Sequence, residues 1–376
     1  MQPLTASPRE ALTAEQVEAL IVDAPALTLG YGLELVDQAL TVLADISADL
    51  QLGGSVSRNS YAELHGTAKL PISTDLDWGR AIVRPYMTIA DGQLSARFNL
   101  GAYFTSTPRR NLRTRPPTYD VAGYDILKAL QDPVGDTYAI DSGVSYLTAV
   151  EDILIERGFV QYIIDRGAAG LVLPSPKVWA FDDRLTWLTV VNDLLAAVGY
   201  AGIWSDWEGR PRCHPYQPPG LRPAEWTYEA DGLRSTIAPD RNLDRDIWDA
   251  PNRWVFYRRN DIEAAPPVEG NGMYTYVNQS TGDTSVDARG RVITRMEGLD
   301  AADHASLVQQ AQEKIDADMR LPTVYVPATA INPLHWHFDR LLVVDPAAGP
   351  PMQTMATQWT LPLGRGLMSH EWTALP

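Results

Sequence analysis

A chain of 376 residues, 45% hydrophobic and 21% charged, is too long for a single core and too apolar to be disordered, which suggests two to four globular domains. Its single cysteine, Cys213, excludes an internal disulfide and a cysteine-built metal cage, and no apolar run reaches the ~18 residues of a membrane-spanning helix. A formal charge of −16 argues against a protein that grips nucleic-acid phosphates. It suits plain solubility, or a surface that faces nucleic acid without holding it.

The first stretch, MQPLTASPRE, has neither a charged n-region nor an apolar h-region, so the expectation is a chain that is not exported and acts in the cytosol or in a particle assembled there. Residues 1–24 read as an amino-terminal arm with a short helix from Ala14, capped by Thr13 and limited by Pro25. Residues 25–118 read as a first β domain, an antiparallel barrel or curved sheet. GLELVDQALTVLADISADLQLGG, SYAELHGTAKLPI, WGRAIVRPYMTIADG and QLSARFNLGAYFTST follow one another as β runs, and Asp91-Gly92 is a hairpin signal between two of them. RRNLRTRPP at 109–117 reads as a basic, proline-ended linker.

Residues 119–216 read as a small α/β domain, opened by a short helix through Ile126–Gln131 and closed by the hairpin YAGIWSDWEGRPRCHPY. Within it the chain repeats itself. YLTAVEDILIERGF at 146–159 recurs as WLTVVNDLLAAVGY at 187–200, forty-one residues on, with six of fourteen positions identical. TYAID at 137–141 keeps the register over VWAFD at 178–182. At helical spacing Leu147, Val150, Ile153 and Leu154 share one face, as do Leu188, Val191, Leu194 and Leu195. Ser145 and Thr186 stand at N-cap positions, and Gly158 and Gly199 where a left-handed residue ends a helix. Phe159 and Tyr200 follow as the apolar residues that pack back. The shared aspartates, Asp152 with Asp193 and Asp141 with Asp182, fall on the solvent side or near the helix start. Every matching position has a structural duty, so the repeat reads as scaffold and not as a doubled active site.

Residues 217–376 read as a second β domain, with strands in NRWVFYRR, GMYTYVNQ, PTVYVPATA, DRLLVVDP, MQTMATQWTLPL and GLMSHEWTAL. One amphipathic helix interrupts them from about Ala301 to Arg320. Its inner face is read as Ala305, Val308, Ala311, Gln312, Ile315 and Met319, with Gln309, Gln310, Glu313, Lys314 and Asp318 outside.

Chemistry is sparse. His335-Trp-His337, extended by Asp339, is half of a metal site at most, and exposed strand histidines are the simpler reading. Cys213 and His214 are neighbours on a strand and point apart, which disfavours a nucleophile–base pair. Asp182-Asp183 and Asp206 with Glu208 are carboxylate pairs of the kind glycoside hydrolysis uses, but an acidic chain produces such pairs by chance. Asn278-Gln-Ser is a formal sequon without an export signal. GxSxG, P-loop, dinucleotide and kinase motifs are all missing. The expectation is no catalytic, cofactor-binding or metal-ligating residue, and no enzyme.

Four stretches carry a likeness in their order: Tyr119–Gln131 (YDVAGYDILKALQ), Ala250–Tyr257 (APNRWVFY), residues 290–319 and residues 361–372 (LPLGRGLMSHEW). With the repeat they cover most of 27–376, and the chain resembles the minor tail proteins related to baseplate hubs at the tail tip of long-tailed bacteriophages. The resemblance implies an α+β, mainly β fold. Two tail-tube-like β-barrel domains (25–118 and 217–376) would flank the α/β domain, with the 301–320 helix lying across the second sheet. It implies a homotrimer whose six barrel-like domains ring the axis and join a sixfold tube to the tip or fibre apparatus. Its partners would be a distal tail or tube protein above, tip or fibre proteins below and a tape measure protein in the lumen, in a virion tail assembled in the host cytoplasm. DNA would slide past an acidic wall on ejection, without membrane insertion by this chain. Many relatives continue into a lytic or fibre-bearing extension; this sequence ends at Pro376, so host-wall hydrolysis is expected of another protein. A charge on a barrel edge, such as Val255→Asp, is expected to abolish assembly. The alternative is a β-rich carbohydrate-binding or carbohydrate-active protein with Trp204, Trp207 and Trp226 as sugar platforms.

Overall fold

The computed structural model describes residues 1–6, 8–9, 11–22, 28–115, 117–182, 184–217, 222–231, 236–245, 248–258, 267–299, 304–319 and 323–375. The chain divides into two compact units, Met1–Arg241 with Val326–Leu375, and Asn242–Tyr325. It is mainly β, with few helices.

In the first unit the alternating runs become strands. Gly66–Ile72 turns Ala68, Leu70 and Ile72 inward and its polar neighbours outward, as a period of two requires. Asp91-Gly92 closes a hairpin between Ile82–Ala90 and Ser95–Asn99. The Asp91 carboxylate accepts from the amides of Gln93 and Leu94, and Gly92 adopts a φ of +92°. Gly32 looks weak for a strand, but it pairs with Tyr86, and a Cβ there would lie 2.1 Å from that ring. The basic stretch after Arg109 is no linker. Arg109–Asn111 pairs with Thr118–Asp125, which itself pairs with Gly66–Ile72, so 118–125 is a strand of the first sheet.

The two β regions meet in one ladder. Gly54–Asn59 pairs antiparallel with Met352–Leu363, from Asn59 opposite Gln358 to Gly54 opposite Leu363. Among the described residues the strand path is open. It runs from Ile237–Arg245 at one end, through Thr323–Thr329, Met368–Ala374 and Met352–Leu363, to Thr28–Val36 and Val42–Asp45 at the other. All six strands expected in the second region form, and Trp226–Glu229, Ile237–Arg245, Val268–Glu269 and Thr294–Leu299 form besides.

The amino-terminal segment is packed in, not an arm. Thr13 and Gln16 bond reciprocally, each side chain to the other's amide, and start the helix α1 (Ala14–Val22) as a capping box. Val17, Leu20 and Ile21 of α1 join the sheet core with Leu33, Val83 and Phe98. Pro25 lies outside the described residues.

The repeat forms two helices, α2 (Tyr146–Glu156) and α3 (Trp187–Ala197), and α2 packs on α3. All eight residues of the two expected apolar faces are at most 1% exposed. At about 1.5–3 kcal/mol per buried aliphatic side chain, that seam dominates the stability of this region. Gly158 and Gly199 take φ of +88° and +72°. The amides of Phe159 and Tyr200 then reach back to the carbonyls of Leu154 and Leu195, closing both helices by the same Schellman turn. The preceding strands, Tyr138–Ile140 and Lys177–Trp179, pair with each other, and Tyr138 faces Trp179, its own counterpart in the repeat. A residue opposite its own copy is what a local twofold between the units produces. The repeat also runs further than its identities: Ile163–Ile164 and Trp204–Ser205 occupy matching places on the two sides of Pro211–Cys213.

The second unit is a four-stranded sheet in the order Val268–Glu269, Gly272–Val277, Arg253–Arg258, Thr294–Leu299. After the one-turn helix α4 (Val286–Arg289), the helix α5 (His304–Met319) covers it. The inner face of α5 is Leu307, Ala311 and Ile315, each fully buried against Trp254 and Phe256. Ala311 and Ile315 are residues of the expected face; Leu307 joins them, while Gln312 is exposed and Val308 half-buried. Asp318 is not outside either. It accepts from Trp254 Nε1 at 2.7 Å and pairs with Arg295 at 2.6 Å, so a carboxylate, not a methyl, ends the apolar stripe. The side chains of Ala305, Gln309, Glu313 and Met319 lie outside the described residues.

Candidate functional site

The residues singled out for chemistry are mostly spent on structure. His335 and His337 do not share the face of a strand. They sit in the irregular segment that leads into Arg340–Val344, flanking the buried Trp336 in sequence. His335 is 1% exposed, with Nδ1 on Asp339 at 2.8 Å and Nε2 on the Tyr228 hydroxyl at 2.7 Å. Asp339 also accepts from the Trp336 amide and lies 2.7 Å from the Met1 ammonium. Burial alone would push its carboxyl up, but that ammonium and His335 hold it well below the usual range. Among the described residues no three His, Cys, Asp or Glu side chains are grouped to hold a metal ion.

Cys213 is buried and its thiol is pushed up to about 12 by that burial, so it is not a nucleophile. His214 turns its Nδ1 to the Pro215 carbonyl. Asp206 is wholly buried, binding Arg210 and Arg212 at 2.9 Å each and the amides of Glu208 and Arg210. Glu208 points elsewhere, to Asn99 and Arg84, and burial raises its carboxyl. The two do not form a catalytic pair. Asp182 caps the Arg184 amide, and Asp183 lies outside the described residues. Asn278 is 1% exposed and locked to Thr281 through both side-chain atoms, so the sequon is structural. Two of the three tryptophans are not open platforms: Trp207 is 7% exposed and Trp204 carries His337 stacked on it at 5.2 Å, while Trp226 is half-buried against the sheet core.

What the sequence did not show is that distant aromatic and imidazole groups converge. Tyr61, Trp204, His214, Tyr216, His337 and Phe338 line a cavity of about 440 Å³, with Arg222 and Glu225 on its wall. His65 stands behind His337, ring centres 4.5 Å apart. Burial, aided by Arg58, pushes His65 down to about 3 and drives His337 well below its ordinary value, so both are neutral near pH 7. No single motif could reveal this site, since its residues come from four separate parts of the sequence.

A second candidate is the pair of sheet ends. Val42–Asp45 has its far side unpaired and every residue exposed, with Val42 at 45% and Leu43 at 62%. An edge strand with apolar side chains is a template for another chain. Val255, by contrast, is no edge: it lies in Arg253–Arg258 with a partner strand on each side and is 8% exposed.

No family model matches the chain, and no curated protein matches its sequence. Two of the solved structures that resemble it are tail proteins. A tail protein from Neisseria meningitidis MC58 matches with a TM-score of 0.61 at 12% identity, over 92% of this chain and 97% of that one. The 43 kDa tail protein of prophage MuSo2 from Shewanella oneidensis matches with a TM-score of 0.59 at 10% identity, over 92% and 98%. At such identities the likeness is one of fold, and it extends over nearly the whole of both chains.

Proposed function

We propose that this chain is a non-enzymatic structural hub of a bacteriophage tail tip. The observation that carries the reading is the end-to-end fold likeness to two tail proteins, with no large segment left over on either side. A shared fold does not by itself carry a shared function, so the reading also leans on the fate of the candidate chemistry. The thiol is buried, Asp206 and the His335–Asp339 couple are buried and held by internal partners, and Glu208 is spent on Asn99 and Arg84.

In this reading three chains close into a ring, and the two β regions supply two tube-like barrel positions per chain, six in all, to meet a sixfold tube. The neighbours are a tube or distal tail protein on one side, tip or fibre proteins on the other, and a tape measure protein in the lumen. The −16 charge keeps the lumen from holding DNA as it passes. We assign the edge strand Val42–Asp45 to the ring contact, because its exposed backbone and its Val42 and Leu43 side chains suit strand addition.

Light scattering over a concentration series tests this. A species of three times the 41.5 kDa chain mass is expected, alone or on addition of a tube protein. Leu43→Lys should remove it while leaving the folded monomer, since Leu43 is 62% exposed. A chain that stays monomeric with and without such a partner would overturn the ring.

A further inference from the structure

We propose that the cavity beside His337 is a binding site for a carboxylate carried on an aromatic body, with Arg222 as its anchor. The first argument is charge. The chain has 47 acidic and 31 basic residues, so a cation near the surface should find a carboxylate easily. Arg222, half-buried on the cavity wall, has none among the described residues. It donates from a terminal nitrogen to the Phe338 carbonyl at 2.5 Å, and its Nε is enclosed without a partner. The one carboxylate on the same wall, Glu225, is engaged twice over, by the Met1 ammonium at 2.6 Å and the Arg340 amide at 2.8 Å.

The second argument is the set of polar atoms left over. Trp204 Nε1 and His337 Nδ1 are also enclosed without partners, and both residues line the cavity. The guanidinium Nε and the indole N–H are donors that lack an acceptor, whereas the neutral His337 Nδ1 donates or accepts according to its tautomer, so two donors in the wall call for a ligand that brings acceptor oxygens. A guanidinium with an N–H donor beside it is a usual receptor for a carboxylate.

The third argument is the wall. Tyr61, Tyr216 and Phe338 give the cavity its apolar lining, and Tyr61 meets Phe338 edge to face at 5.7 Å. A volume of about 440 Å³ is that of a small-ligand site. Phe338 is held at a φ of +50°, a left-handed conformation that a bulky residue adopts only where its surroundings enforce it. A sugar fits less well. Trp204 carries the His337 ring stacked at 5.2 Å and the Arg212 guanidinium at 5.9 Å, which leaves little of the indole for stacking.

The same chemistry reaches the site as a free aromatic acid or as the carboxyl-terminal aromatic residue of another polypeptide. The test is calorimetric titration of the full chain with 3-phenylpropionate, with its amide, and with a short peptide ending in phenylalanine, free and amidated. Saturable binding of the acids is expected, with the amides weaker by about tenfold, the value of one charge-assisted contact of about 1.4 kcal/mol. Tighter binding of the free-ended peptide than of phenylpropionate identifies a polypeptide source, and equal binding a free acid. Arg222→Ala should cost about tenfold, and Arg222→Lys less. Trp204→Phe, which keeps the ring and deletes one donor, should weaken binding without loss of fold, so the test stands even if Arg222→Ala misfolds. Failure of every acid to bind, equal binding of acid and amide, or unaltered binding by Arg222→Ala would overturn the proposal.

Discussion

The helices Tyr146–Glu156 and Trp187–Ala197 end in the same turn, yet the strands that follow them are used differently. Ile163–Ile164 stays half-buried, parallel to Pro211–Cys213, and the Asp165 carboxylate after it only turns back to the Gly167 amide. Trp204–Ser205, its counterpart, runs into the core of the sheet. Ser205 donates to Asp125 at 2.5 Å, and its carbonyl receives Arg58 and Trp336. Asp206 makes the same turn as Asp165 but in full burial, with two arginines added. Duplication preserved what each unit needs to fold and freed the outer end of one copy to become a joint.

That contrast can be broken most forcefully at the aspartates. Asp206→Ala leaves two guanidinium groups and two amides without their acceptor, and a loss of about 3 kcal/mol or more in a urea unfolding midpoint is expected. Asp165→Ala, at the equivalent exposed turn, should cost less than about 1 kcal/mol. Equal losses would mean that the joint is not at Asp206.

Next come the positions where the copies should agree. Gly158→Ala and Gly199→Ala each force a side chain into a left-handed residue, and each should cost about 1–2 kcal/mol in thermal unfolding. A marked difference between the two would show that one Schellman turn is held by more than its own backbone.

Acid sharpens the contrast further, because Trp204 in the second copy faces imidazoles. His337 stacks on Trp204 and His65 stands against His337, with the Arg58 guanidinium adding positive charge nearby. A histidine that is depressed on folding contributes stability present above its unfolded pKa of about 6.5 and lost as pH falls below it. For His65 the loss continues down to about 3. Unfolding midpoints measured between about pH 7 and 4.5 should fall, by up to ~1.4 kcal/mol per pH unit per histidine. His65→Gln should flatten that slope; an unchanged slope would remove His65 from it.

The smallest expected difference is at the caps. Thr186 accepts from the Thr189 amide at 3.2 Å, while Ser145 turns its hydroxyl to the Ala169 carbonyl and caps nothing. Thr186→Ala should cost about 1 kcal/mol and Ser145→Ala only a few tenths, read as a difference between two midpoint shifts.

Much of the fold was legible, and the legible part is short-range. The spacing of Leu147 to Leu154, the glycines at helix ends, the Asp91-Gly92 turn and the Thr13 cap each depend on neighbours within a turn or two, so the chain writes them locally. At the end of α5 the pattern misled, because Asp318 looks like a surface residue until Trp254 and Arg295 are placed beside it. His335-Trp-His337 misled in the same way: alternation suggested a strand, and only the arrival of Tyr228, Asp339 and Trp204 shows two imidazoles facing apart.

The sequence by itself determined a mainly β chain, the existence of the doubled α/β unit and the limits of its two helices, because caps, turns and periodicity act over a few residues. The tertiary structure alone decided that Gly54–Asn59 joins Met352–Leu363, that the amino-terminal segment is core, and that Arg222 meets a cavity of rings. Strand alternation says which face is buried and nothing about which partner covers it. Partners some three hundred residues apart are chosen by the packing of the whole sheet.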